Sequence, residues 1–238
     1  MRSTIQGGIV SLCLLSSAVL WADSAVETAR LLAILLDSGR VVVGINQPLI
    51  NDKTKGDKGF TPDAFEEQVR KQFQKRTGMT VENVPADAKP LIAGLISAAR
   101  ETVNEYQPII NMQGKGFKHF TPAHFGSETA ARFSKRTGVT LKQTTTDNLL
   151  RNQDNKADDF ELNVLNQFAS PEYPRTSEAI VSAADDHWVR VMLPLFYGKN
   201  CLDCHGGPKG ERDISGYRKD GAKEGDLGGA ISVKMPVR

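Results

Sequence analysis

Two cysteines and a histidine stand together near the C-terminus as Cys201-Leu202-Asp203-Cys204-His205. The spacing Cys-x-x-Cys-His is the attachment signature of c-type haem. Two thiols on one short turn add to the two vinyl groups of the haem, and the adjacent imidazole reaches the iron from the same turn. On this reading Cys201 and Cys204 hold one covalent haem c, and His205 is the proximal iron ligand. Other chemistries use the same residue types. A thioredoxin-like dithiol sits at the start of a long helix in a strand-helix-strand context, and nothing here precedes a long helix. A structural zinc needs four ligands, and Cys201, Cys204 and His205 lack an obvious partner pair. A disulfide between Cys201 and Cys204 closes a strained small ring. A class I cytochrome c is a poor match, because 33 residues follow His205 and the helical wrap carrying its methionine normally comes after the motif.

The far side of the iron either finds a sixth ligand or stays open. The candidates are His119, His124 and His187, followed by Met112, Met192 and Met235. Histidine is the commonest side-chain metal ligand, whereas methionine ligates in cytochromes c but is usually core filler. Each also has a plainer reading. His187 beside Trp188 opens an expected strand, and His119 and His124 flank a helix N-terminus. A filled sixth position favours electron transfer or redox sensing, and an open one admits a diatomic gas or peroxide. A peroxidase-type haem enzyme is the alternative, with His119 or His124 available as its distal acid-base group.

These residues need a scaffold, and the chain has enough length for one. It comprises 238 residues with 39% hydrophobic and 24% charged side chains, a globular composition. The formal net charge of +2 is too small to point to nucleic acid or to an anionic membrane surface. Arg2, the apolar run Ile9 to Leu20 and the sequence Trp21-Ala22-Asp23 read as a signal peptide spanning residues 1–22, leaving 23–238 as a single domain. The rival is an uncleaved membrane anchor, since Ser3 to Ala22 holds no charge over 20 residues. A lipoprotein is excluded by bulky Leu12 before Cys13. Either surviving reading exports the domain, as haem c attachment requires, to a periplasm.

Within the domain the chain repeats itself at an offset of 60. Gln47-Pro48-Leu49-Ile50-Asn51 recurs as Gln107-Pro108-Ile109-Ile110-Asn111. Phe60-Thr61-Pro62, Phe65, Phe73 and Lys75-Arg76-Thr77-Gly78 recur as Phe120-Thr121-Pro122, Phe125, Phe133 and Lys135-Arg136-Thr137-Gly138. The copies span 27–82 and 87–142, each predicted as helix, loop, helix and short strand. Leu31, Leu35 and Val42 share one face of the first helix. In the second helix the threonine is the N-cap, proline takes the first helical position, and Gly78 or Gly138 closes the C-terminus. Met79 to Val81 and Val139 to Lys142 are the expected strands. The aromatic stripes read as core, and a pseudo-symmetric pocket between the copies is the functional counterpart.

Arg151 to Asp159 reads as a polar loop before a helix near Asp158 to Ala169, whose Phe160, Val164, Leu165 and Phe168 follow the helical period. Ala179 to Ala183, His187 to Phe196 and Gly229 to Val237 read as strands. Helices first and antiparallel strands mostly last make an α+β layout.

The run from Cys201 through Gly206-Gly207-Pro208-Lys209-Gly210, Gly216-Tyr217 and Gly225-Asp226-Leu227-Gly228-Gly229-Ala230-Ile231-Ser232-Val233 resembles the C-terminal signature of the PAS-like c-type haem family, long catalogued as a domain of unknown function. Asn46 to Asn51 and Lys55 to Pro62 resemble the N-terminal part of a long subgroup of it. The resemblance implies a PAS-like antiparallel sheet flanked by helices, with haem at its edge. It implies a protein that stands alone or forms the extracytoplasmic sensing part of a signalling protein, with no established enzymatic reaction. The role expected here is a redox or gas-responsive sensor or an electron carrier, working with a redox or signalling partner protein. The family's structural type, a cyanobacterial single-haem protein, pairs the motif histidine with an upstream cysteine thiolate. Here the mature chain has no third cysteine to supply one.

Overall fold

The computed structural model describes residues 13–176, 180–185 and 187–237, with side chains from residue 23 onward. The expected leader, residues 1–22, lies outside them apart from the backbone of 13–22, which is helical. Among the described residues no helix is long and apolar enough to cross a membrane. The chain forms α1 (Cys13–Ile45), α2 (Gln47–Ile50), α3 (Pro62–Thr77), α4 (Lys89–Glu105), α5 (Gln107–Ile110) and α6 (Pro122–Thr137). It continues through β1 (Thr140–Thr144), α7 (Asp159–Ala169), β2 (Val181–Ala184), β3 (Trp188–Phe196), α8 (Leu202–His205) and β4 (Leu227–Pro236). The fold is α+β, with one antiparallel sheet flanked by helices.

The sheet order is β1-β4-β3-β2. Alternation along the strands divides its two faces. Val189, Val191, Leu193, Ile231 and Val233 join the large core beneath α1, while Met192 and Ala230 pack with Val164, Leu165 and Phe168 of α7 on the other side. The start of α7 is tied down by a capping box, Asp158 accepting from the Glu161 N–H and Glu161 from the Asp158 N–H. The buried Glu161 carboxylate is also paired with Lys142 of β1 at 2.9 Å.

Helix α1 is more deeply placed than its apolar stripe suggests, because Leu31 through Leu36 are all buried. A helix that is apolar all round belongs inside. It lies between the sheet and the layer formed by α3, α4 and α6. The second helix of each copy starts and stops as expected. Thr61 accepts from the Ala64 N–H and Thr121 from the His124 N–H, each at 3.2 Å. Gly78 and Gly138 close the two helices in the left-handed conformation.

The letters that repeat are those that join one copy to the other. The Gln47 amide donates to the Phe120 carbonyl at 2.7 Å, and Gln107 returns the bond to Phe60 at 2.8 Å. Asn111 accepts from the Lys58 N–H and Asn51 from the Lys118 N–H, at 3.1 and 3.0 Å. Between the copies the side chains of Phe60, Phe65, Phe125 and Phe120 pack ring on ring. The space left there is about 10 Å³, roughly one water, lined by residues such as Leu35, Phe65 and Phe125. The aromatic stripes are core, and the copies enclose no ligand-sized pocket at this point.

One expected strand is absent. Met79 to Val81 turns instead, the Asn83 N–H donating to the Thr80 carbonyl at 3.0 Å, and runs on into α4. Its counterpart in the second copy is extended because β4 lies alongside it, from Thr140 opposite Lys234 to Thr144 opposite Ala230. The same local sequence pattern becomes a strand only where a neighbour supplies the hydrogen bonds.

Candidate functional site

Strand β3 ends at Phe196, and Tyr197 closes its end against the start of β4, exchanging backbone bonds with Asp226 and Gly225 at 2.8 Å each. Two residues after Tyr197 the chain makes a single turn of 3₁₀ helix, Lys199 to Cys201, and then α8. Cys201, Cys204 and His205 therefore project from one tight turn at the end of the sheet. Both thiols are free and half-buried. No long helix follows them.

The loop after the motif folds back to brace the histidine. It forms a small hairpin, with Lys219 donating to the Glu211 carbonyl and Asp213 to that of Tyr217, both at 2.8 Å. It then passes behind α8, where the Gly221 N–H bonds the Gly206 carbonyl at 3.0 Å and the Ala222 N–H bonds that of His205 at 2.9 Å. This return delivers the Asp220 carboxylate to His205 Nδ1. The Tyr197 hydroxyl lies 3.1 Å from the same nitrogen, and its ring stacks on the imidazole with centroids 4.7 Å apart.

These contacts decide which ring nitrogen is available. An ionised carboxylate only accepts hydrogen bonds, so Nδ1 carries the proton. Nε2 then presents its lone pair, and among the described residues it has no hydrogen-bond partner. Burial pushes the His205 pKa below its ordinary range, against the opposing pull of the Asp220 hydrogen bond. The ring is thus neutral near pH 7, the form that ligates a metal. Burial, with the Asp220 charge behind it, pushes the Tyr197 phenol up, so it stays protonated.

Cys204 differs from a redox-active dithiol. Burial first, and the Asp213 carboxylate next, push its thiol up, whereas reactive cysteines have theirs lowered. Among the described residues no three His, Cys, Asp or Glu side chains are grouped to hold a metal ion. A porphyrin brings four nitrogens of its own, so one imidazole with two thiols for anchorage is a donor set that suits haem. The residues present fit the group.

The clamp on this arrangement is Arg151, at the start of the polar loop before α7. Its guanidinium pairs with Asp213 at 3.2 Å and with Asp220 at 3.1 Å, and also donates to the carbonyls of Arg218 and Cys204 at 3.1 and 3.4 Å. It lies over the Tyr217 ring at 5.2 Å. One side chain thereby ties the motif turn to both limbs of the returning loop. Arg151, Asp213, Asp220 and Tyr197 carry no spacing signature, and the glycine-rich stretch after the motif holds five acids, so the sequence does not single out Asp213 and Asp220.

Gly228, part of the C-terminal signature, explains itself here. A Cβ at this position meets the Tyr197 ring at 2.7 Å. Gly228→Ala is expected to destabilise the protein by about 1–3 kcal/mol through overpacking and to push Tyr197 off the imidazole. Urea unfolding of the variant beside the wild type measures the loss.

The candidate distal ligands are not gathered at this turn. His187 is exposed in the β2–β3 turn, so the whole of β3, roughly 26 Å at strand rise, separates it from Tyr197. Met235, paired with Val189, shares that far end. His124 is bonded through Nε2 to the Tyr106 hydroxyl, and exposed His119 packs against Phe117 with ring centroids 4.6 Å apart. Met192 is buried beneath α7, and Met112 is 44% exposed in the duplicated half. Among the described residues none of the three histidines shares a hydrogen bond or ring contact with the motif turn.

No curated protein matches the chain. The crystal structure of the cyanobacterial haem-protein Tll0287 aligns with 64% of this chain and 96% of its own, at 17% identity and a TM-score of 0.44. A family model described as Tll0287-like matches residues 67–236, which include the second copy, Arg151, the Cys-x-x-Cys-His turn and the whole sheet. The chain belongs to the Tll0287-like family.

Proposed function

We propose that this is a periplasmic c-type monohaem protein, with haem attached through Cys201 and Cys204 and its iron held by His205, acting in electron transfer or in sensing of redox state or a small ligand. The observation that carries the reading is the motif turn itself: two free thiols and an imidazole whose Nδ1 is occupied while Nε2 is free. When bound, haem supplies one-electron exchange at the iron and, where its sixth position is open, a place for a diatomic gas. The chain's own part is to fix the imidazole tautomer through Asp220, to cover one ring face with Tyr197 and to hold the turn through Arg151. Membership of a family represented by a haem protein supports the reading, and it leaves the partner open.

The placement of His119, His124 and His187 away from the turn favours an open or weakly held sixth position. The test is an optical spectrum of the protein, exported in a host with haem-attachment machinery, in the reduced state before and after adding CO. Covalent haem with a CO-shifted spectrum is the expected result and makes ligand sensing the leading role. Covalent haem with an unchanged spectrum means a firmly held sixth ligand and assigns electron transfer or redox sensing. Absence of covalent haem overturns the proposal and returns the thiols to redox or zinc chemistry.

A further inference from the structure

Asp220 is more than a neighbour of the motif. A metal-ligating histidine commonly donates its second ring N–H to an outer group, and that partner fixes the ring and raises its basicity. Here the partner is a carboxylate, whose full negative charge draws the Nδ1 proton more strongly than a carbonyl does. The drawn proton leaves more electron density on Nε2, which favours the more positive oxidation state of any metal bound there. The carboxylate is also fixed in place. Arg151 Nη2 lies 3.1 Å from Asp220 and 3.4 Å from the Cys204 carbonyl while Nη1 pairs with Asp213, so the guanidinium ties the loop carrying the carboxylate to the turn carrying the imidazole. A planar five-donor group suits this task and an ammonium does not.

We infer that Asp220, clamped by Arg151, sets the reduction potential of an iron held on His205, keeping the oxidised state favoured. The inference rests on the haem reading above. Asp220 and Arg151 are positioning residues, acting through His205 without touching the iron. The couple concerned is the one-electron reduction of ferric to ferrous iron.

The test compares wild type, Asp220→Asn, Asp220→Glu and Arg151→Lys, each exported with haem-attachment machinery. Covalent haem is quantified by its pyridine haemochrome, and the potential is read by optical redox titration. Asp220→Asn keeps an acceptor for Nδ1–H but loses the charge. It is expected to raise the ferrous-to-ferric ratio at fixed ambient potential at least tenfold, ~59 mV for one electron. Asp220→Glu is expected to restore part of the shift, and Arg151→Lys to move the potential the same way by less than Asp220→Asn. Haem attached in all four chains with equal potentials overturns the inference and leaves the haem reading standing. A wild type without attached haem overturns both. Where Asp220→Asn fails to retain haem, the Glu and Lys variants decide the matter by the same comparison, equal potentials again counting against the inference.

Discussion

Replacing Cys201 and Cys204 together by serine is expected to abolish covalent haem in the exported protein, leaving no haem-linked signal on a denaturing gel. Serine preserves the size of the side chain but forms no thioether, so the loss reports the bond and not the packing. The two thiols stand on the motif turn, Cys201 ending its 3₁₀ segment and Cys204 within α8, which continues it. They are half-buried and share no disulfide, so their replacement leaves the surrounding structure with nothing to repair. Each single variant retains one attachment point and is expected to keep a reduced amount of covalent haem. The circular dichroism of the double variant should match that of the wild-type polypeptide, separating loss of attachment from loss of fold. Covalent haem surviving in the double variant would show that the anchor lies elsewhere.

The motif is legible in the sequence because the chemistry proposed for it dictates its spacing. Two vinyl groups and one iron coordinate demand three side chains on one turn, and no tertiary contact is needed to recognise the pattern. The supporting groups were not legible for the opposite reason. Arg151 reaches Asp213 and Asp220 across 62 and 69 residues of chain, and Asp220 reaches His205 only because the glycine-rich loop turns back. Nothing local in either sequence region marks those pairings. The duplicated half shows the same division. Its helix caps, Thr61 and Thr121 with the prolines that follow, act within a few residues and are visible in the sequence. The strand expected at Met79 to Val81 is not, since an extended conformation there depends on a neighbouring strand that the first copy lacks. Lys118 offers a further case. A lysine in a polar loop reads as solvated, yet it is fully buried with its ammonium donating to the carbonyls of Met112 and Lys115.

The duplicated half packs on the sheet through α1 and α6, and Phe125 is the place to measure how tightly its core is filled. The side chain is fully buried, with its ring 5.1 Å from that of Phe65 and 6.2 Å from that of Phe120. It presses so closely on α1 that a Cβ at Gly39 meets its Cε1 at 2.7 Å, which is why the C-terminal part of that helix carries a glycine. Phe125→Ala removes most of a ring from a region whose existing space is about 10 Å³. The neighbours come from three different helices and from the other copy, so they close on the cavity only partly. The expected loss is about 3–5 kcal/mol, the range for truncating a buried phenylalanine. Thermal unfolding should fall by roughly 6–20 °C at 2–4 °C per kcal/mol for a chain of this size. Phe65→Ala is expected to lose a similar amount, and the double variant less than the sum, because the two rings share one contact. A loss below about 1 kcal/mol in Phe125→Ala would contradict the packed core and reopen the idea of a ligand space between the copies. Covalent haem content of the folded variant should equal that of the wild type, because attachment needs the motif turn, whereas Phe125 packs against Phe65, Phe120 and α1.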